Sequence, residues 1–436
     1  MKTPRGLGTC AIAALAVGLG LAAGPAGGAG PARRSDIGTG AWSWFGDPRA
    51  VYYEGRHRRT YVGWIDTGGN VRVASVDSDS GARRVVVLKR GLGVDDHNDP
   101  SLLLLPGGRL QVFYCPHSGR FLPPRGIPKR MYYRVTSRRE DVSSFGPTRT
   151  LHTNTPGGLG YTYPNPVYLS HERRTWLFWR GGNWMPSLST QSGGRWSSAR
   201  TLVRPSRGQR PYIKFATNGR DTIDFAFSED NPSHGRTGIY YARYRAGRFE
   251  HANGRRIGGM GSLPLNPRGV DRVVDRTGRP RKGQASAWVH DVASDAHGHP
   301  VIVYVSYPSK TDLRYRYARW DGQHWHDHEI VRAGKALRGR YAGGVSLDHE
   351  DPGVVYLSRR IHGVFEVEQW KTVDDGAHWT HLAVTSNSHQ DNVRPVTPRG
   401  EVKGATVIWM RGRYRQYTAY MTRITRQGVE RARALP

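Results

Sequence analysis

Seven times along this chain, a short segment usually rich in Asp, Asn, Gly or Pro opens an apolar strand, which turns tightly and returns as a second strand. The openings are Phe45-Gly46-Asp47-Pro48, His97-Asn98-Asp99-Pro100, Tyr163-Pro164-Asn165-Pro166, Gln209-Arg210-Pro211-Tyr212, His290-Asp291-Val292, Tyr341-Ala342-Gly343-Gly344 and Asp391-Asn392-Val393-Arg394-Pro395. A unit repeated at intervals on the order of 50 residues, with strand periodicity and no helical pattern, predicts an all-β chain: a seven-bladed β-propeller of four-stranded antiparallel blades. If each unit is one blade, the residues that open the innermost strands converge around the central channel. Side chains far apart in sequence then become neighbours.

The 436 residues are used up by seven such blades, so a single propeller domain over residues 35–436 is expected. Residues 1–34 read differently. Lys2 and Arg5 precede the apolar run Ala11–Ala23, and Gly, Ala and Pro follow. That order of basic start, apolar run and small residues is a secretory signal, and the run is short for a membrane span. A secreted, extracellular protein is therefore expected. Of the two cysteines, Cys10 would leave with the signal and Cys115 would remain alone, which excludes a disulfide framework.

The formal net charge of +30 favours anionic partners through a long-range field. With no phosphate-binding glycine loop and no nucleic-acid module in the sequence, the expected partner is an acidic polysaccharide, bound by a monomer without nucleic acid or membrane. The tight turns Gly193-Gly194-Arg195-Trp196, Ala246-Gly247-Arg248-Phe249 and Asp321-Gly322-Gln323-His324-Trp325 read as structural, with the aromatic ring packed between sheets. So does Thr372-Val373-Asp374-Asp375-Gly376-Ala377-His378-Trp379, which resembles the Asp box of sialidase-type propellers. The interval Arg255 to Gln284, rich in Gly, Arg and Pro, reads as an inserted loop, and Gly119 to Lys129 as a second irregular stretch.

The chemistry concentrates in the second and third repeats. Asp96-His97-Asn98-Asp99-Pro100-Ser101 opens one strand, and the partner strand returns to end at His117. In an antiparallel pair the start of one strand and the end of the next lie at the same end, so His97 and His117 share a mouth. By the same geometry Tyr163 and Arg180 share it too. Two imidazoles, a phenol and a guanidinium supply proton transfer and an anion clamp, without the two opposed carboxyl groups that glycoside hydrolysis normally uses. β-Elimination beside a uronic acid needs a cation on the carboxylate, a base for the C5 proton and an acid for the departing oxygen, and this set contains all three.

These segments, His97-Asn98-Asp99-Pro100-Ser101 through His117 and Tyr163-Pro164-Asn165-Pro166-Val167-Tyr168 through Trp179-Arg180-Gly181, resemble the BNR-repeat polysaccharide lyases that include the ulvan lyases, and are similar to the rhamnose-glucuronate lyases. The resemblance implies His97 and His117 in proton transfer or substrate binding, Tyr163 as acid/base and Arg180 as carboxylate neutraliser. It implies a polysaccharide lyase, acting on a uronate-containing glycan, sulfated or not, with no cofactor required for chemistry; a structural calcium or zinc ion is left open. Asn98, Arg210, His290, Tyr307, Tyr341, Arg360 and Arg394, at other strand ends, are expected to contact substrate. Two alternatives stand beside this reading: a sialidase-like hydrolase, with Arg49, Arg210 and Arg394 as a carboxylate-binding triad, and a non-catalytic glycan-binding propeller.

Overall fold

The computed structural model describes residues 34–117, 130–151, 161–274, 286–309, 311–402 and 406–429. The expected export signal up to residue 33, the whole stretch from Gly119 to Lys129 and residues 275–285 lie outside them. Among the described residues the regular structure is strand with a few single-turn 3-10 segments, arranged as seven antiparallel sheets. This is the seven-bladed propeller.

Burial falls from the axis outward. Second strands such as Thr222–Ser228 and Pro300–Tyr307 are buried throughout, whereas the outermost strand Thr380–Ala383 is exposed throughout. A blade is covered on both faces by its neighbours, so its inner strands read as continuous apolar runs, not as alternation. The turn aromatics complete this packing. Trp196 of blade 3 meets Phe113 and Tyr133 of blade 2, Trp325 of blade 5 meets Tyr241 of blade 4, and Trp379 of blade 6 meets Tyr317 of blade 5.

The ring closes by hydrogen bonding. Blade 7 takes three strands from the C-terminal part, Asn392–Val396, Thr406–Gln416 and Ala419–Gly428, and its fourth from the N-terminal side, Ser35–Thr39. Cys115 is buried and free, so no disulfide assists. One expectation is corrected in blade 4. Within the interval taken as an inserted loop, Arg256–Gly259 pairs with Arg248–Glu250, and Asp271–Val274 pairs with Ile239–Arg245. Both segments extend the sheet, using edge hydrogen bonds that a short outer strand leaves open.

From Thr39 the chain crosses to the axis, and there Trp44 and Phe45 fill the centre of the ring. Trp44 stacks on Tyr341 at 4.9 Å and touches Trp288 and His290, while Phe45 packs on Tyr163, Tyr212 and Trp288. Three innermost strands carry a register shift near the strand opening: between Thr162 and Asn165, between Val289 and Asp291, and between Val393 and Val396. The residues inside those bulges include Tyr163, His290 and Arg394. Tyr163 and Arg394 also adopt left-handed backbone, with φ of 59° and 54°. A bulge re-aims the side chain it carries, and a bulky residue at positive φ is strained. Gly344 permits this locally, because a Cβ there would meet the Arg394 Cα at 2.9 Å.

Candidate active site

The opening of blade 2 is a 3-10 turn, Asp96–Asn98, capped by Asp95, whose Oδ1 accepts from the His97 backbone N–H at 2.9 Å. Asn98 is buried, and its amide donates to the carbonyls of Leu92 and Gly93 while its Oδ1 accepts from the His117 N–H at 2.6 Å. Asn98 thus ties the end of the second strand to the start of the first. The result is a parallel imidazole stack, with His97 and His117 centroids 4.2 Å apart and ring planes within 7°. Both rings turn Nδ1 toward one carboxylate: His97 is 2.9 Å from Asp95 Oδ1 and His117 is 2.9 Å from Asp95 Oδ2. His97 Nδ1 also lies 2.8 Å from Asp96 Oδ1. Two carboxylates thus face the same nitrogen of His97.

The two imidazoles are driven apart electrostatically. Burial opposes charge on His97, but the carboxylates of Asp95 and Asp96 outweigh it and raise its pKa to about 10. His117 is lowered to about 4 by burial and by the positive charge of His97. Asp95 is itself buried, yet the two histidines hold its carboxyl well below the usual range.

Asp95, His97 and His117 are also the one group of three candidate metal-ligating side chains among the described residues. The stack does not suit one ion. Imidazole lone pairs lie in the ring plane, and two nearly parallel planes stacked this closely cannot both contain a cation at about 2 Å from each nitrogen. Two oxygens of one carboxylate, each accepting from one ring, fit the stack instead.

Blade 3 supplies the second half. Tyr163 stacks on the far side of His97 at 5.2 Å. Arg180, at the end of the second strand Arg174–Arg180, places its guanidinium carbon 4.5 Å from the Tyr163 ring, 4.6 Å from Trp184 and 4.9 Å from Tyr212. Trp184 in turn meets His117 edge-on at 5.6 Å. His97, His117, Tyr163 and Arg180 therefore form one cluster. The Arg180 side chain is 7% exposed, and no carboxylate among the described residues pairs with it. Burial opposes its charge, but the surrounding tyrosines favour it. Tyr163 is held protonated, because burial raises its pKa well above the ordinary phenol value.

The other expected contact residues separate into two groups. Tyr341 lies on the same mouth, with its phenol raised to about 12 by burial, and exposed Arg210 stands 5.7 Å from Trp184 at the rim. The rest are engaged elsewhere. Arg394 is 1% exposed, sandwiched by Trp44 and Tyr414, and bonded to Asp96 Oδ2 at 2.6 Å. Tyr307 donates to the Arg340 carbonyl, and Arg360 caps the Gly363 carbonyl over Phe365. His290 is buried against Trp44, its pKa lowered to about 3 by burial and by Lys214. Like Asn98, Arg394, Tyr307 and Arg360 are bonded within the fold, because a propeller's axis is lined by its own interlocking strand ends, while His290 is only packed there, its Nδ1 without a hydrogen-bond partner among the described residues.

Sequence reasoning missed Asp95, Trp184, Tyr212 and Tyr417. Tyr417 meets His97 and His117 edge-on, at 5.0 and 6.0 Å. Tyr212 was legible as the blade 4 counterpart of Tyr163, and Asp95 as half of the acidic doublet before His97. Nothing in the sequence marks Trp184 or Tyr417.

At the other end of the axis a wider cavity, about 1020 Å³, is lined by hairpin tips including Leu105–Gly107, Asn218-Gly219 and Ala296–Gly298. It is far roomier than the reactive mouth, but most of the charges around it are paired. Asp224 pairs with Arg243, Asp291 with His349, and Asp47 with Lys214 and Arg49.

The fold and the cluster define a seven-bladed propeller with an aromatic and cationic site at one mouth of its axis. Residues 59–333, more than half of the chain, match the BNR repeat-containing family, and this protein belongs to it. Among solved structures it is similar to the polysaccharide lyase Uly1, with a TM-score of 0.53 and 13% identity over 88% of this chain and 89% of that one. It is also similar to the BP39L lectin from Burkholderia pseudomallei, with a TM-score of 0.50 and 12% identity over 86% of this chain and 99% of that one. At such identities the likeness is one of fold. No curated protein matches the chain in sequence.

Proposed function

We propose that this protein is a secreted polysaccharide lyase that cleaves a uronate-containing glycan by β-elimination. The observation that carries the reading is Arg180: a guanidinium 7% exposed, caged by three aromatic rings, with no carboxylate partner among the described residues. Burying an uncompensated cation costs several kcal/mol, on the order of what an ion pair returns only when its partner arrives. A sugar carboxylate is such a partner, and Arg can grip it bidentately.

In the proposed reaction Arg180 binds the uronate and makes the C5 proton removable. An imidazole Nε2 takes that proton, the C5–H electron pair forms the C4–C5 double bond, and the C4–O4 bond breaks. Tyr163, held protonated, donates its proton to the departing O4. The products are an unsaturated uronyl end and a free hydroxyl. The acids of the mouth argue against hydrolysis: Asp95 is committed to both histidines, and Asp96 to Arg394 and the Tyr414 hydroxyl. A sialidase-like triad has no support either. Arg49 is bound to Asp47 and the Ser43 carbonyl, and Arg394 to Asp96, so neither is free for a ligand carboxylate.

Incubation with uronate-bearing polysaccharides is expected to raise ultraviolet absorbance in the unsaturated-uronate band, and His117→Ala to abolish the rise with little change in melting temperature. Glycan recovered intact after long incubation would replace the lyase with a binding propeller. Products without a double bond would make it a hydrolase.

A further inference from the structure

We propose that Asp95 is a positioning residue that divides the histidine pair by function, holding His117 as the Nδ1–H tautomer with Nε2 bare as the proton acceptor, and His97 as the imidazolium beside it. The assignment of the acceptor to a substrate proton rests on the lyase reading. The division itself does not.

The argument is geometric. One carboxylate faces two stacked rings, and each of its oxygens lies 2.9 Å from one Nδ1. An ionised carboxylate only accepts, so both Nδ1 atoms must carry hydrogen, and any proton gained or lost is at Nε2. Two imidazolium rings with centroids 4.2 Å apart would repel strongly in a buried site, so one ring stays neutral. The surroundings decide which. His97 Nδ1 faces two carboxylates, Asp95 at 2.9 Å and Asp96 at 2.8 Å, whereas His117 faces Asp95 alone. Asp96 is kept ionised from the blade 7 side by Arg394, and Tyr414 donates to it at 2.6 Å. From blade 3, Tyr163 stacks on His97 as a neutral phenol, while the Arg180 charge works against a proton on His117. Tyr417 meets both rings edge-on and separates neither. The cation therefore belongs on His97 and the open lone pair on His117 Nε2. The pKa directions of the two rings agree.

The test reads the rings directly. In protein carrying ¹⁵N-labelled histidine, between about pH 6 and 8, His117 is expected to show the neutral Nδ1–H pattern and His97 two protonated nitrogens. Asn at position 95 can still cap the turn, so Asp95→Asn is expected to fold. It should bring the His97 titration toward neutrality, add a limb to the pH–rate profile there, and lower kcat by about 100-fold with a much smaller change in KM. A wild-type His117 found as the Nε2–H tautomer or as a cation would overturn the proposal, and so would an Asp95→Asn variant with unchanged ring patterns and pH profile. If no glycan yields an unsaturated product, the lyase reading falls while the ring states still decide this inference. Should Asp95→Asn misfold, the wild-type spectra decide it alone.

Discussion

Two buried guanidiniums stand at the same mouth of the axis, Arg180 on the blade 3 side and Arg394 on the blade 7 side, and they have opposite fates. Arg394 is 1% exposed and ion-paired: it bonds to Asp96 and to the Trp42 carbonyl, and lies between Trp44 and Tyr414. Arg180 is almost as buried, yet its cage is aromatic and, among the described residues, contains no acid paired with it. The same residue type at nearly the same depth is an ion-paired strut in one place and, among the described residues, a guanidinium without a carboxylate in the other. What separates them is whether the fold supplies the counter-charge. The same contrast distinguishes the two ends of the channel, because Asp47, Asp224 and Asp291 around the wider cavity are ion-paired, whereas Arg180 at the narrow mouth has no carboxylate partner among the described residues.

Exchange of each arginine for methionine breaks the comparison most directly. Arg180→Met is expected to reduce kcat/KM by at least about 1000-fold, since the carboxylate-bound transition state loses its charge partner. Its melting temperature should hold or rise, because no acid is orphaned; a collapse in stability would reveal a structural partner and weaken the receptor reading. Arg394→Met is expected to do the reverse to the fold, losing about 3–5 kcal/mol in denaturant unfolding because buried Asp96 loses its guanidinium partner and keeps only Tyr414 and the charge of His97. Asp96→Asn in the same chain should recover part of that loss, and no recovery would disprove the pairing.

The pH dependence of stability sharpens the contrast on the histidine side. His117 and His290 titrate lower in the folded chain, at about 4 and about 3, than the ordinary 6.5. The unfolded chain then binds more protons, so denaturant stability should fall as pH drops below about 6.5 toward those values. His97 has the opposite sign: its contribution is complete below about 6.5 and is lost as pH rises through about 10. A flat profile across the acid window would contradict the burial argument. The smallest effect is expected from Arg210→Ala, an exposed rim residue near Trp184: a few-fold increase in KM, with kcat and melting temperature unchanged.

That His97, His117, Tyr163 and Arg180 come together was legible in the sequence because antiparallel pairing is local. His97 and His117 belong to one hairpin and Tyr163 and Arg180 to the next, so strand polarity alone brings each pair to one end. Arg394, His290 and Asn98 were harder. Each opens a strand or stands beside one that does, as Tyr163 does, but whether such a residue meets a ligand or a neighbour depends on contacts made across the ring. Asp96, the partner of Arg394, lies 298 positions away. Trp184 and Tyr417 had no mark at all, since a tryptophan in a short turn and a tyrosine in a terminal hairpin are ordinary surface or packing residues until the closed ring sets them beside two imidazoles.

By itself, then, the order of residues determined the architecture and the end of the axis where the reactive groups gather, because repeat spacing, turn chemistry and strand direction act over short stretches of chain. Only the closed tertiary structure decided which charges are cancelled and which remain open, because compensation is settled by a few ångströms between side chains that the ring, and not the sequence, makes neighbours.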